Sequence, residues 1–172
     1  MAIKITVITV CMNAEKYIEH TITSVARQTY ENIEFLIIDG NSTDRTNSII
    51  KKHEGIIDRW ISESDSGIAD AMNKGIQMSS GDFLLFLNSD DYFYSNEALE
   101  KCVSHIGHEF KIAAFNIVFS RANGSSHLYK PRGFNWWNHF KMGVYHQGVL
   151  CHREVFRKIG SFDTQFRLAL DY

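Results

Sequence analysis

Carboxylate side chains follow two of the most apolar segments of the sequence. Asp39 comes directly after the run at 33–38, and Asp90 and Asp91 follow the run at 83–87. Apolar runs of this length are typical of strands buried in a parallel sheet, and ligands bind where the carboxyl ends of such strands meet. Hard divalent cations bind through one or two carboxylates plus phosphate oxygens. The pattern therefore predicts a metal and phosphate site at one edge of a sheet, with Asp90 and Asp91 as candidate ligands.

The same residues also have an ordinary structural interpretation. Ser89, Asp90 and Asp91 can start a turn and cap the next helix, and Asp39 and Asp65 can each cap a loop. A phosphohydrolase with Asp90 or Asp91 as its nucleophile is a further alternative, although it leaves Asp39 and Asp65 unexplained. The sequence contains neither G-x-G-x-x-G nor G-x-x-x-x-G-K-[ST], which argues against dinucleotide-dependent oxidoreductases and P-loop enzymes.

Strands and helices alternate along the first part of the chain. Apolar residues recur at helical spacing after Asn13, which can cap the first helix. Beyond residue 111 the alternation ends, and Asn123-Gly124 between the segments 112–119 and 127–130 predicts a hairpin. We therefore predict an α/β fold with a mostly parallel sheet flanked by helices and a hairpin in the second half. The other predicted strands are at 3–10, 33–38, near Trp60, at 83–87 and near Val149, and further helices are predicted at 43–53, 67–78, around 99–106 and at 153–158.

Composition limits the classes of partner. The chain has 172 residues, a formal net charge of −2 and 44% hydrophobic residues, which indicates one globular domain and argues against nucleic acid as a partner. Its three cysteines lie far apart in the sequence and fit neither a disulfide framework nor a zinc site, so a cytoplasmic location is expected. The sequence contains no apolar run long enough to span a membrane.

A series of short motifs between residues 4 and 91 resembles the family 2 glycosyltransferases of the GT-A fold. No single motif is specific, but the whole series in this order is. The motifs are Ile5-Thr6-Val7-Ile8-Thr9-Val10 with Asn13 and Tyr17-Ile18, Ser24-Val25 with Gln28-Thr29-Tyr30, Ile37-Ile38-Asp39-Gly40-Asn41-Ser42-Thr43-Asp44, Glu63-Ser64-Asp65-Ser66-Gly67-Ile68 with Ala71-Met72-Asn73-Lys74-Gly75, and Gly81-Asp82-Phe83 with Leu87-Asn88-Ser89-Asp90-Asp91.

The resemblance implies a nucleotide-sugar donor bound by the first half of the chain. An ionised aspartate can accept the imide N–H of uracil, which makes a UDP-sugar the first choice for Asp39 and Asp65. The expected activity is transfer of a hexose or aminohexose to a glycan or lipid-linked acceptor in polysaccharide or surface-glycan synthesis. The donor-binding residues that we expect are Thr9, Val10, Cys11, Asn13, Asp39, Asp65, Gly67, Ala71, Asn73, Asn88, Ser89, Asp90 and His146.

The metal motif of the family is Asp-x-Asp, and this chain departs from it at Asn88. The resemblance implies Mn²⁺ or Mg²⁺ as the cofactor, with Asp90 as its ligand. An asparagine oxygen is a neutral acceptor, so a site with one charge fewer is expected to bind the cation more weakly. The cation would neutralise the diphosphate leaving group.

The second half resembles the later part of the same enzymes. The matching residues include Gly143-Val144-Tyr145-His146-Gln147-Gly148 and Ala169-Leu170-Asp171-Tyr172. The resemblance implies that Asp171 is the general base of an inverting displacement, whereas a surface aspartate at a frayed terminus is the alternative. Because such enzymes continue past this aspartate, the chain is expected to be cut short there. Donor binding would then survive better than transfer, and a catalytically impaired nucleotide-sugar-binding fragment is the alternative function.

We therefore expect a single GT-A domain over residues 1–172, with a nucleotide-sugar-binding half at 1–91 and an incomplete acceptor-binding half at 92–172. Core packing is expected for the apolar side chains of Trp136, Trp137, Phe140 and Met142. Its alternative is contact with a sugar or with the inner face of a membrane that holds a lipid-linked acceptor.

Overall fold

A computed structural model describes residues 2–107, 110–121, 123–131 and 145–165. Within these residues the strands are β1 (Ile5–Cys11), β2 (Ile33–Asp39), β3 (Arg59–Ser62), β4 (Phe83–Phe86), β5 (Ile112–Ala114), β6 (Ile117–Ser120), β7 (Ser126–Tyr129) and β8 (Val149–His152), and the α-helices are α1 (Ile18–Ala26), α2 (Thr46–Lys52), α3 (Ile68–Met78), α4 (Ala98–Ser104) and α5 (Arg153–Ile159). A short 3₁₀ turn (His146–Gly148) precedes β8.

The main sheet has six strands in the order β3-β2-β1-β4-β8-β5. The first four strands are parallel, and β8 runs antiparallel to both of its neighbours. The predicted α/β fold with a mostly parallel sheet flanked by helices is confirmed. Among the described residues, no helix combines the length and the hydropathy that a membrane crossing requires.

Both faces of the sheet are buried, which explains the continuous apolar runs of the sequence. Successive side chains of β1 alternate between two cores, with Ile5 and Val7 in the first and Ile8 and Val10 in the second. The first core also contains apolar residues of α1, α2 and α4, and the second contains apolar residues of α3 and α5. A strand that faces helices on both sides has no polar face, so alternation is lost from its sequence.

Helix α3 lies unusually close to the sheet at Gly75. A Cβ atom at this position would lie only 2.5 Å from Cγ2 of Ile8 in β1 and 3.6 Å from Cγ1 of Ile38 in β2. Glycine costs a helix about 1 kcal/mol relative to alanine. Here its missing side chain allows the helix backbone to approach the two central strands.

The hairpin is present, but the predicted strand at 112–119 is wrong as one continuous element. Strand β5 belongs to the main sheet, where it pairs with β8, and only β6 pairs with β7 in a separate two-stranded sheet. The chain changes sheets near Phe115, whose N–H donates to the Gly148 carbonyl oxygen at 2.7 Å. A Cβ on Gly148 would lie 2.8 Å from the Phe115 carbonyl oxygen, so this crossing is too tight for a larger residue.

The predicted capping of the first helix by Asn13 is also wrong. Helix α1 begins at Ile18, and its N-cap residue, Tyr17, makes no side-chain capping hydrogen bond. Asn13 instead adopts a left-handed backbone conformation (φ 51°), and its side-chain oxygen accepts the Thr43 N–H at 2.9 Å. The Asn13 side-chain oxygen is thus used by the loop after β2 and does not cap α1. The predicted start of the second helix at residue 43 is wrong as well, since α2 begins at Thr46.

Candidate functional site at the carboxyl edge of the sheet

Three strand ends lie side by side at the carboxyl edge of the sheet. The register pairs Cys11 of β1 with Asp39 of β2, and Asp39 with Ser62 of β3. Gly40 continues this pairing, since its N–H donates to the Cys11 carbonyl oxygen at 2.8 Å. The loops that follow the three strands therefore start next to one another, where open α/β sheets bind ligands.

The Asp39 carboxylate is enclosed by protein donors. The residue has no solvent exposure. Its Oδ2 accepts the Ser42 N–H at 2.9 Å and the Ser62 hydroxyl at 2.6 Å, while Oδ1 accepts the Ser42 hydroxyl and, at 3.5 Å, the Cys11 thiol. Two carboxylate oxygens have about four lone-pair sites in all, so few acceptor positions remain. In this conformation Asp39 organises the loop after β2, and a nucleobase could hydrogen-bond to its carboxylate only by displacing one of these donors.

The loops after β1 and β2 are fastened together. The Asn13 N–H donates to the Ser42 hydroxyl at 2.7 Å, and the Ala14 N–H donates to the Thr46 hydroxyl at 2.8 Å. Asn13 and Asn41 are the non-glycine residues with positive φ among the described residues, at 51° and 63°. Backbone N–H groups that would otherwise lack partners are thus satisfied between the loops, which fixes the edge of the candidate site.

Three predicted donor-binding residues at the end of β1 have buried side chains. Thr9 has no exposed surface, and Val10 and Cys11 are 6% and 7% exposed. The Thr9 hydroxyl has no hydrogen-bond partner among the described residues. Burial, together with the nearby charge of Asp39, raises the pKa of the Cys11 thiol far above its ordinary range. In this structure these residues could offer a ligand only their backbone.

Asp65 is the accessible carboxylate beside this edge. Its Oδ1 accepts the Gly67 N–H at 2.9 Å, and its Oδ2 lies 2.7 Å from the place where a Cβ on Gly40 would be. Gly67 has φ 126°, a conformation that favours glycine, so this loop depends on both glycines. Asp65 is partly exposed whereas Asp39 is not, so a nucleobase can approach Asp65 directly.

The two predicted contact residues on α3 take part in packing. Ala71 is 3% exposed and lies in the second core. The Asn73 amide donates to the Phe162 carbonyl oxygen at 2.9 Å and accepts the Phe162 N–H at 2.8 Å. In the structure these two side chains pack or hydrogen-bond within the protein. Contact of either one with a nucleotide stays a prediction.

The segment after β4 brings the remaining predicted residues together. The Thr21 hydroxyl of α1 lies 2.8 Å from both the Ser89 and the Asp91 carbonyl oxygens, which fixes the turn. Asn88 Nδ2 donates to His146 Nε2 at 3.1 Å, so the neutral histidine accepts there. Helix α4 begins only at Ala98, with no side-chain cap, so the Ser89 to Asp91 turn does not cap it. The turn interpretation of these residues holds, and the helix-capping interpretation is wrong.

Buried acceptor oxygens without partners surround this turn. Asn88 Oδ1, Asp91 Oδ2 and Gln147 Oε1 are shielded from solvent and make no hydrogen bond within the part of the chain that the structure describes. Burial, reinforced by the neighbouring charge of Asp90, raises the pKa of the Asp91 carboxyl above its ordinary range. Asp90 itself is exposed. Gln147 is not among the site residues that the sequence predicts, although it follows His146 directly.

The side-chain oxygens of this turn fit a hard divalent cation. Among the described residues, no group of three or more His, Cys, Asp and Glu side chains is arranged to hold a metal. Mg²⁺ and Mn²⁺ do not need such a group, because one or two carboxylates, neutral oxygens, water and substrate phosphate complete their shell. Asp90 and Asp91, with the Asn88 oxygen, supply that kind of set. The predicted general base Asp171 and the predicted core residues Trp136, Trp137, Phe140 and Met142 lie outside the described residues.

Comparison with known proteins agrees with the fold and the motifs. The model of the family described as "Glycosyl transferase family 2" matches residues 6–160. A PGL/p-HBAD biosynthesis glycosyltransferase of Mycobacterium bovis is 29% identical over 172 residues, covering 94% of this chain and 64% of the relative. An uncharacterized glycosyltransferase of Mycobacterium tuberculosis is 31% identical, covering 97% and 65%. The chain therefore spans slightly less than two thirds of the length of these relatives.

Solved structures share the fold. The S. aureus TarS 1–349 complex with UDP matches with a TM-score of 0.75 and 21% identity, over 98% of this chain and 52% of that one. The mannosyltransferase PcManGT from Pyrobaculum calidifontis, in complex with GDP-Man and Mn²⁺, matches with a TM-score of 0.73 and 16% identity, over 95% and 48%. Since the family model covers most of the sequence and the sheet is that of these enzymes, the chain belongs to glycosyl transferase family 2.

Proposed function

We propose that this chain binds a nucleotide-sugar donor, by preference a UDP-sugar, and belongs to an enzyme that transfers the sugar with inversion to a glycan or lipid-linked acceptor. The observation that carries the proposal is the set of acceptor oxygens at the end of β4, where exposed Asp90 lies beside buried oxygens of Asn88 and Asp91 that lack partners. Acceptor oxygens without donors suit a cation that accompanies a diphosphate.

The donor would lie along the carboxyl edge of the sheet. Asp65 is the accessible carboxylate for the uracil imide, whereas Asp39 positions the loops around it through its four protein donors. Relatives in structure were crystallised with UDP, UDP-GlcNAc or GDP-Man, which supports a nucleotide-sugar ligand for this chain. We assign donor binding to residues 1–91 and the acceptor side to 92–172, within a single domain.

The chemistry of the proposed reaction divides between the two halves. Asp90 would hold Mn²⁺ or Mg²⁺, which when bound offsets the charge that develops on the leaving diphosphate. Asp171 would take the proton of the acceptor hydroxyl as that oxygen attacks the anomeric carbon on the opposite face. The His146 ring, which accepts from Asn88, would lie beside the phosphates. A role in glycan assembly at the cytoplasmic face of a membrane is part of the same proposal.

Calorimetric titration with UDP tests the donor site directly. Wild-type chain is expected to bind UDP in the presence of Mn²⁺ and more weakly in the presence of EDTA. Asp90→Ala is expected to lose the response to Mn²⁺ and to keep the wild-type melting temperature, because Asp90 is exposed. A folded wild-type chain that binds UDP under neither condition would show that the proposed function is wrong.

A further inference from the structure

A cluster of buried side-chain oxygens lies between the turn after β4 and the 3₁₀ turn before β8. Strands β4 and β8 are antiparallel, with Phe83 opposite His152 and Leu84 opposite Cys151. Continued along both chains, this register places Asn88 opposite Gln147. The hydrogen bond between Asn88 Nδ2 and His146 Nε2 at 3.1 Å shows that the two turns do meet.

The amide donors of this cluster are already used within it. Asn88 directs its Nδ2 at His146, so its Oδ1 faces away from the ring. The Gln147 side chain acts as a donor toward the Asp91 carboxylate and lowers its pKa against the larger effect of burial, which assigns the Gln147 amide nitrogen to Asp91. Asn88 Oδ1, Gln147 Oε1 and Asp91 Oδ2 remain, and all three are acceptors, since a carboxylate and a carbonyl oxygen cannot donate.

The charge of the cluster indicates what would satisfy these oxygens. Asp91 stands next to Asp90 in the sequence, and the charge of Asp90 acts on it directly. A water molecule has only two hydrogens to donate, whereas a divalent cation takes about six oxygen ligands and also offsets the two carboxylates.

We propose that Gln147 Oε1, Asn88 Oδ1 and Asp91 Oδ2 are oxygens that, together with Asp90, bind the divalent cation of the donor site. This proposal rests on the proposed function, because the same cation would offset the charge of the donor diphosphate. It assigns to the second half of the chain, through Gln147, a part in a site otherwise built by the first half. It also explains how the site functions with asparagine at position 88: Asp91 supplies the second negative charge and Gln147 a further neutral oxygen.

Two substitutions of Gln147 and one control test the proposal. Gln147→Met keeps the length of the side chain and removes its oxygen, and Gln147→Glu keeps the oxygen and adds a charge. Gln77→Met makes the same chemical change on an exposed face of α3 and serves as the matched control. Each protein is titrated with Mn²⁺ in the presence of UDP, with free Mn²⁺ measured by electron paramagnetic resonance, and its melting temperature is recorded with Mn²⁺ and with EDTA.

Gln147→Met is expected to lower Mn²⁺ affinity by about 10- to 100-fold, the range seen when groups that support a metal site are removed. Gln77→Met is expected to match wild type. Gln147→Glu is expected to melt below wild type in EDTA and to regain stability when Mn²⁺ is added, because the cation offsets the added charge. This second variant keeps the test decisive if Gln147→Met does not fold.

Wild-type affinity for Mn²⁺ in Gln147→Met, or a Gln147→Glu protein that Mn²⁺ does not stabilise, would overturn the assignment of Gln147 and point to a buried water. The donor-site proposal would survive that result, because it depends on wild-type binding of UDP and on Asp90. A wild-type chain that binds neither Mn²⁺ nor UDP would overturn both.

Discussion

Asn73 of α3 and Phe162 beyond α5 are joined by a reciprocal pair of hydrogen bonds, in which the Asn73 side chain serves both the N–H and the carbonyl oxygen of Phe162. The two residues are 89 positions apart in the sequence. The Phe162 ring packs edge-on against Phe86 of β4, with ring centroids 5.4 Å apart. The Asn73 side chain therefore hydrogen-bonds the Phe162 backbone as a neighbouring strand would. These bonds hold the second half of the chain against the second core.

Replacing Asn73 by alanine should destabilise the fold. Both backbone groups of Phe162 would lose a partner in a site where Asn73 is only 8% exposed. We expect a loss of about 2–4 kcal/mol in the free energy of unfolding, since each unsatisfied buried group costs about 1–3 kcal/mol. Urea denaturation measures this loss, with the exposed Asn96→Ala as the control. Equal stability of the two variants would contradict a fastening role for Asn73.

Replacement by asparagine should affect stability at Asp39 and metal-dependent UDP binding at Asp90. Asp39→Asn places an amide against the Ser42 N–H or the Ser62 hydroxyl, and we expect a loss of about 2–3 kcal/mol of stability because a buried donor is left facing a donor. Asp90→Asn, at an exposed position, should change stability by less than about 0.5 kcal/mol. Only Asp90→Asn should weaken the effect of Mn²⁺ on UDP binding while the fold remains intact, because the asparagine oxygen is a neutral ligand. Chemical denaturation and calorimetry on both variants separate the two roles.

The Glu34 carboxylate should make the protein acid-sensitive. Burial opposes its ionisation, but hydrogen bonds from Thr6, from the N–H and hydroxyl of Ser80 and from Arg59 outweigh burial and lower its pKa from 4.5 to about 2. Since the folded-state pKa is below the unfolded value, the stabilisation is complete above about pH 5 and is lost as the pH falls toward 2. The shift corresponds to about 3 kcal/mol.

Glu34→Gln should therefore be less stable than wild type at pH 7, and the difference should shrink as the pH falls from about 5 to 3. Urea denaturation at several pH values measures this convergence. Exposed Glu31→Gln is the control and should parallel wild type throughout. A constant difference between Glu34→Gln and wild type across this pH range would show that ionisation of Glu34 does not contribute.

Gly75→Ala should destabilise the protein although alanine is the better helix former. The new Cβ would lie 2.5 Å from Ile8 in the central strand, and overpacking of this kind costs about 1–3 kcal/mol. Gly55→Ala is the matched control, since a Cβ there meets nothing within 4 Å and should be neutral or slightly stabilising. Thermal denaturation of the two variants compares them directly, and a stabilised Gly75→Ala protein would contradict the close approach of α3 to the sheet.

The sequence by itself determined the class of fold. Strands β1, β2 and β4 were predictable because helices cover both faces of the sheet, so nearly every position in these strands is apolar. The order of the motifs identified the family, and it located Asp39 at the end of β2 and Asp90 in the turn after β4. Buried strands and short motifs are local features of the chain, so the local pattern of polar and apolar residues is enough to predict them.

Only the tertiary structure decided what each polar side chain does. Asp39 and Asp65 look equivalent in the sequence, yet one is enclosed by donors from two other segments and the other remains accessible. The Asn13 side chain accepts the N–H of Thr43, 30 positions away, and the antiparallel pairing of β4 with β8 brings His146 to Asn88, which no local sequence pattern predicts. The partners of a polar group come from whichever segments the topology places beside it, so their identity is a property of the assembled sheet.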